Sequence, residues 1–176
     1  LITYMPTYIS QFMGTSFSSA FIVNTSVIAI NLLLCPVVGM LIDKVGRRRC
    51  LIVGCLGFLI LSYPVFYILI QQTNAVLMIG LLGILIVFQT ILAVAIVVVS
   101  AEVFPTKLRN SGIGFSYNIA AAVFGGLAPL AATALIAATG DNLSITYLMI
   151  GSVLVTLLTS VFLLKGYYVK GKRVSD

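Results

Sequence analysis

Few side chains in this sequence could do chemistry. Its 176 residues include ten Lys and Arg, four Asp and Glu, three Cys and no His. The cysteines Cys35, Cys50 and Cys55 lie in or beside apolar runs without the C-x-x-C spacing of a metal or redox site, which is typical of small core residues. Without His or a carboxylate cluster, the sequence predicts no metal, no cofactor and no enzymatic activity.

The first spacing with a physical meaning is G-x-x-x-D-x-x-G-R-R, which begins at Gly39. Gly39 would let a neighbouring helix approach closely, and Gly46 could take a positive φ in a tight reversal. Asp43 could accept hydrogen bonds from the N-terminus of an adjacent helix, where the dipole favours an anion. Arg47 and Arg48 could pair with a carboxylate or hold a helix interface. The alternative, an ordinary basic loop, explains neither the Asp nor the two glycines.

The second motif, E-x-F-P-T-x-x-R-x-S-G, runs from Glu102 to Gly112. Glu102 follows a long apolar run, so its carboxylate would lie at the edge of a membrane if that run spans one. A carboxylate there is costly without a partner, so we expect Glu102 to pair with Arg47, Arg48 or Arg109. Such a network could hold helix ends together in one conformation and release them in another. The alternative is a glutamate solvated at the surface.

Polar side chains deep in apolar runs are the candidates for a solute cavity. Asn31, Gln89 and Asn118 are amides of this kind, although amides also hydrogen-bond between packed membrane helices. Tyr4 and Tyr8 are one helical turn apart. They could face a cation through their rings or belong to an aromatic belt at the outer membrane surface.

A pair of glycines interrupts the run that contains Asn118. Gly125 lies seven residues after Asn118, so the two would share a helix face, and Pro129 follows shortly after. Gly125 and Gly126 could permit a helix break that frees backbone carbonyls towards a cavity. Close helix packing is the favoured alternative for both glycines.

The composition of the chain predicts the helices that carry these residues. The chain is 61% apolar and 8% charged, far from a soluble domain, which excludes soluble enzymes and disulfide-stapled secreted modules. A membrane-spanning helix needs ~20 apolar residues. The uncharged runs therefore predict an all-α, polytopic membrane helical bundle. Its expected spans, all in one transmembrane domain over 1–164, are 1–13 (partial), 17–42, 50–70, 76–100, 110–138 and 143–164, followed by a short basic tail at 165–176.

The basic residues predict an orientation. All ten Lys and Arg lie at 44–49, 107–109 and 165–173, which the expected spans place on one side. Short loops rich in Lys and Arg stay in the cytoplasm, so loops 43–49 and 102–109 and the tail should be cytoplasmic, in a bacterial inner membrane. This confinement also argues against a nucleic-acid partner, which would require a basic face.

Together the motifs resemble a known family. G-x-x-x-D-x-x-G-R-R resembles the signature loop of the major facilitator superfamily. The motif from Glu102 to Gly112, together with Tyr4-Met-Pro-Thr-Tyr8, Ser-Tyr-Asn at 116–118 and Phe-Gly-Gly at 124–126, is similar to the metabolite:proton symporters, which include proline/betaine transporters and α-ketoglutarate and citrate permeases. The resemblance covers essentially the whole chain, as the end of helix seven through helix twelve.

The resemblance implies the C-terminal six-helix half of a transporter that works by alternating access about a site near the bilayer midplane. Proton symport of a small polar solute is implied, with proline or betaine first and a di- or tricarboxylate second. The expected partners are the solute, protons, the lipid bilayer and the missing N-terminal half. That half should hold the coupling carboxylate, because no acidic residue here lies at membrane depth. A truncated or split-gene product without transport activity is the alternative, and a sugar facilitator is weaker.

Overall fold

A computed structural model describes residues 4–12, 16–71, 74–105, 107–169 and 172–173. Five of its helical segments are long and apolar enough to cross a membrane, which confirms the predicted all-α membrane bundle. The elements are α1 (Met5–Phe12), α2 (Phe17–Val45), α3 (Arg47–Ile70), α4 (Ala75–Val103), α5 (Arg109–Ala120), a π-helical turn (Ala121–Gly125), α6 (Gly126–Thr139), α7 (Ser144–Tyr167) and the paired strands β1 (Tyr168–Val169) and β2 (Lys172–Arg173).

Local chemistry sets the helix ends. The side chain of Ser16 accepts the N–H of Ser19 at the start of α2, and Asn74 caps α4 by accepting the N–H of Val76 at 2.9 Å. Gly140 ends α6 in the left-handed conformation at φ 68°. Gly46 has a φ of 99° between α2 and α3, which confirms its predicted positive φ in a tight reversal.

At the end of the bundle that carries Arg47, the helices extend beyond the expected spans. We call this end of the bundle the basic end. α2 continues to Val45 and α4 to Val103, so Asp43 and Glu102 lie in final helical turns and not in loops. Charged side chains at a membrane surface do not end a helix. The chain instead leaves α4 just before Pro105, since the residue before a proline disfavours the helical conformation.

Two glycines on α3 bring it close to α4. A Cβ added at Gly54 would lie 3.1 Å from the Leu92 side chain, and one added at Gly57 would overlap the ring of Phe88. Gly54 and Gly57 are almost one turn apart on the same face, so they form a shallow groove for α4. α4 in turn supplies much of the core through Met78, Leu82, Leu85, Ile86 and Ala95.

The glycines that the sequence favoured for packing behave differently. Among the described residues, no atom lies within 4 Å of a Cβ added at Gly39, Gly125 or Gly126. The close helix approaches expected at these positions are therefore not found among the described residues. The physical reason is their location: Gly125 and Gly126 are exposed on the fifth span, with Gly125 bordering a cavity, and Gly39 is only partly covered.

Candidate functional site

Charged side chains meet at the basic end of the bundle. The Nε of Arg47 lies 2.9 Å from Oε1 of Glu102, and its Nη2 lies 3.8 Å from Oδ1 of Asp43. The side chains of Arg47 and Glu102 are 34% and 29% exposed, whereas that of Asp43 is 72% exposed. The contact with Glu102 is therefore the shielded one, and the contact with Asp43 is largely screened by water.

These contacts show which of the partners expected from the sequence the charged side chains have. Of the three arginines expected for Glu102, the structure selects Arg47. The expectation that Asp43 accepts backbone N–H groups at a helix N-terminus is not met within the described residues. Asp43 lies in the last turn of α2, and its exposed carboxylate approaches the Arg47 side chain four residues later across the Gly46 reversal.

Arg48 contacts a different helix. Its Nε and Nη2 donate to the backbone carbonyls of Ser160 and Val161 on α7, at 3.3 Å and 3.1 Å. Successive residues on a helix point about 100° apart, so Arg47 reaches α4 while Arg48 reaches α7. The start of α3 therefore joins α2, α4 and α7, and we call this set of contacts the basic-end network. Basic side chains at a helix N-terminus oppose the helix dipole, and Glu102 offsets that cost.

The connection from α4 to α5 folds back on itself. Pro105 O accepts the N–H of Leu108 at 3.0 Å, and the ring of Phe104 lies so close to Gly112 that an added Cβ would be 2.5 Å from Cδ1. Arg109 stands at the start of α5, and its Nε is buried without a hydrogen-bond partner in the described part of the chain. The second motif is therefore a packed turn, in which glycine at 112 makes room for Phe104.

We expect Gly112→Ala to lower the free energy of unfolding by about 1–3 kcal/mol, because the added methyl group forces Phe104 to move. Gly114→Ala is the matched control, since no described atom lies within 4 Å of its Cβ. Thermal unfolding in detergent measures both variants. Equal stability of the two variants would contradict the packing of Phe104.

A chain of hydrogen bonds joins α2 and α4 at mid-depth. The amide nitrogen of Asn31 donates to Oγ1 of Thr90 at 3.0 Å, and Thr90 donates to the carbonyl of Ile86 at 2.6 Å. The thiol of Cys35 lies 3.7 Å from Oδ1 of Asn31. Thr90 is fully buried. Sequence reasoning missed it because one threonine in an apolar run carries no spacing signal.

The other two amides lie apart from this chain of bonds. Gln89 precedes Thr90, and its Oε1 is buried without a hydrogen-bond partner among the residues described. Asn118 lies on the exposed side of α5 and donates to the carbonyl of Gly114 in its own helix, at 2.7 Å. Asn31 on α2 and Gln89 on α4 therefore lie at similar depths, whereas Asn118 lies on a separate span.

The two tyrosines lie inside the bundle. The hydroxyl of Tyr8 donates to the carbonyl of Asn142 at 2.8 Å, and its ring meets Phe66 edge-on at 5.9 Å between centroids. Tyr8 is completely buried, and Tyr4, 6.3 Å away ring to ring, is 9% exposed. The expected outer aromatic belt is therefore wrong for this pair, because α1 packs against α2 and the α6–α7 connection. Tyr4 alone borders open space, a cavity beside α6 and α7.

Apolar spans, lysines and arginines gathered at one end and amides at mid-depth define an integral membrane protein. A family model described as sugar (and other) transporter matches residues 1–168. The chain belongs to that family, which is part of the major facilitator superfamily. No solved structure gives a significant match.

Curated relatives agree with the family. The chain is 35% identical to the ectoine/proline transporter of Corynebacterium glutamicum over 85% of its own length and 30% of the relative's. It is 33% identical to the citrate-proton symporter of Klebsiella pneumoniae, covering 93% of this chain and 37% of that protein. It is 26% identical to the glycine betaine/proline/ectoine/pipecolic acid transporter of Dickeya dadantii, over 93% and 32% respectively. The chain therefore spans about a third of the length of these relatives.

Proposed function

We propose that this chain forms the C-terminal half of a secondary active transporter that moves a small polar organic solute by alternating access. The observation that carries the proposal is the basic-end network, in which the start of α3 joins three other helices in a chain of this family. Alternating access requires helix ends that hold together in one state and separate in another, and an ion pair at the membrane surface suits that requirement. Arg109, whose Nε has no partner in the described residues, is the further candidate for this network.

Proline or betaine is the first choice of solute, transported with protons. Two of the relatives described above are named for proline. Such solutes are zwitterions, and their polar contacts are assigned to four side chains: Tyr4, Asn31, Gln89 and Asn118. Tyr8 would hold the ring of Tyr4 in place. Because no acidic residue of the sequence lies at membrane depth, proton coupling and binding of a substrate carboxylate belong to the missing N-terminal half.

Two alternatives have specific support. A di- or tricarboxylate–proton symporter is favoured by the 33% identity to a citrate-proton symporter. A truncated or split-gene half that needs a partner is compatible with a chain spanning about a third of its relatives. In each case we place the basic end in the cytoplasm, since short loops rich in Lys and Arg remain inside. We place the protein in a bacterial inner membrane because the relatives described above are bacterial.

The first test is the mass of the native polypeptide in source membranes, detected through its C-terminal residues. A band well over twice the 18.8 kDa of this chain supports a full transporter. Uptake of proline, betaine, citrate and α-ketoglutarate by that protein, with and without a proton gradient, then tests solute and coupling. Absence of uptake for all four would contradict the proposed solutes, and a band near 18.8 kDa would favour the split-gene alternative.

We expect Gln89→Leu to raise the apparent KM for the solute about tenfold, because a hydrogen-bonding group inside the membrane is lost from the solute path. Ser116→Ala is the control, since that hydroxyl donates within its own helix to the carbonyl of Gly112. Initial uptake rates over a range of solute concentrations measure both. Unchanged uptake kinetics for Gln89→Leu would indicate that Gln89 packs between helices and does not contact the solute.

A further inference from the structure

The hydrogen bonds around Thr90 fix the direction in which the amide of Asn31 faces. A threonine hydroxyl has one proton, and Thr90 donates it to the carbonyl of Ile86 at 2.6 Å. Thr90 can therefore only accept from Asn31, so the amide nitrogen, 3.0 Å from Oγ1, faces Thr90 and the amide oxygen faces away. Rotating the amide by half a turn would place two acceptors against each other, which disfavours that orientation.

The amide oxygen of Asn31 is left with a weak donor. Its partner is the thiol of Cys35 at 3.7 Å, and a thiol donates poorly. A second acceptor lies on the same turn of α2. Pro36 has no N–H, so the carbonyl of Leu32 lacks the donor that its own helix would otherwise supply. This turn therefore presents two oxygen acceptors beside one remaining N–H of the Asn31 amide.

These acceptors lie on a surface between α2 and α4 that the described helices leave partly open. Asn24 and Asn31 are both partly exposed on one stripe of α2. On α4, Ala93 and Val97 follow Thr90 by one and two helical turns, and both are exposed. In a transporter built from two halves the solute binds near the bilayer midplane between them, so an open surface at mid-depth is where this half would meet it.

We propose that Thr90 is a positioning residue of the solute site, which holds the oxygen of Asn31 towards the solute and makes the site select cations that carry an N–H. Thr90 acts through Asn31, because its own side chain is fully buried. A secondary ammonium, as in proline, can donate to an amide or carbonyl oxygen. A quaternary ammonium, as in betaine, has no proton to donate and leaves these acceptors unpaired. The inference rests on the proposed function and narrows its first choice of solute to zwitterions with an N–H.

A series of methylated prolines tests this selectivity in the native full-length protein. Proline, N-methylproline and N,N-dimethylproline share a ring and a carboxylate, and their cationic nitrogens carry two, one and no N–H. Competition with the uptake of labelled proline into proteoliposomes gives an inhibition constant for each compound. We expect the constant for N,N-dimethylproline to exceed that for proline at least about tenfold, with N-methylproline between them.

Equal inhibition by the three compounds, or uptake of betaine without uptake of proline, would overturn this inference and leave the proposed transport function standing. Uptake of neither solute would contradict the first choice of solute and this inference with it. These outcomes come from the unmodified protein, so they do not depend on the folding of a variant.

Variants of Thr90 separate positioning from steric rejection of the methyl groups. Thr90→Val keeps nearly the same shape but no longer holds the Asn31 amide. We expect it to weaken proline binding and leave that of N,N-dimethylproline unchanged, so that the ratio of their inhibition constants falls to about threefold or less. Thr90→Ser keeps the hydroxyl and should retain the native ratio. A native ratio in Thr90→Val, or an equal loss of affinity for both compounds, would overturn the positioning role.

Discussion

Replacing Arg47 by Ala is expected to lower the transport rate of the full-length protein at least tenfold while leaving its affinity for solute within a few-fold. The change removes the guanidinium that lies 2.9 Å from the carboxylate of Glu102, which is 29% exposed, and so weakens the contact between the start of α3 and the end of α4. A tenfold rate change corresponds to ~1.4 kcal/mol, within reach of one partly shielded ion pair. The side chains proposed to contact the solute are not part of this ion pair, so the affinity for solute should persist.

Arg49→Ala is the matched control for this experiment. Arg49 is exposed and makes no ion pair in the described part of the chain. Initial uptake rates and equilibrium solute binding in proteoliposomes separate rate from affinity. The double change Arg47→Glu with Glu102→Arg should recover part of the rate, because the opposite charges meet again. A large loss of affinity at normal turnover would contradict the role assigned to the basic-end network. Asp43→Asn should have a smaller effect than Arg47→Ala, since Asp43 is 72% exposed.

The second large effect is expected at Gly57. A methyl group added there overlaps the ring of Phe88, so Gly57→Ala should destabilise the protein by about 3 kcal/mol or more, or prevent α3 and α4 from packing. Gly80→Ala, on α4, is the control, because no described atom lies within 4 Å of its Cβ. Size-exclusion chromatography after heating in detergent measures the folded fraction of each variant.

A smaller side chain opposite Gly57 should reverse part of this loss. The double variant Gly57→Ala with Phe88→Leu leaves room for the added methyl group, so we expect it to be more stable than Gly57→Ala alone. If the two changes were simply additive, the overlap with the Phe88 ring would not be the cause. In that case the cost would arise from the helix backbone of α3 itself.

The spans were predictable because lipid tolerates few charges, and the long uncharged runs have only one stable structure in a bilayer. Their ends at the basic side were less predictable. Asp43 and Glu102 were expected in loops, yet helix geometry continues until Gly46 and Pro105 interrupt it. Charge marks the membrane surface, whereas glycine and proline mark the helix end, and in this chain the two signals lie several residues apart.

The candidate site was predictable only where opposite charges require partners. Three arginines were possible for Glu102, and chain geometry alone selects Arg47. The bonds from Arg48 to carbonyls of α7 and the hydroxyl of Thr90 have no sequence signal, because every residue offers a carbonyl and threonine is common. The packing of the glycines was the least predictable feature. Gly54 and Gly57 make close contacts, whereas Gly125 and Gly126 make none with described atoms.

The π-helical turn at Ala121–Gly125 has a consequence for how this span has evolved. Such a turn behaves as one residue inserted into an α-helix, so each residue after it takes the face that the preceding residue would have in an uninterrupted helix, a shift of about 100°. Gly126, and not Gly125, then follows Asn118 on the same face. Relatives that lack the turn should align with a one-residue gap here. Deleting Val123 should therefore restore a regular α-helix and leave Ala128 and Ala132 on their present face, because the deletion removes the one extra residue.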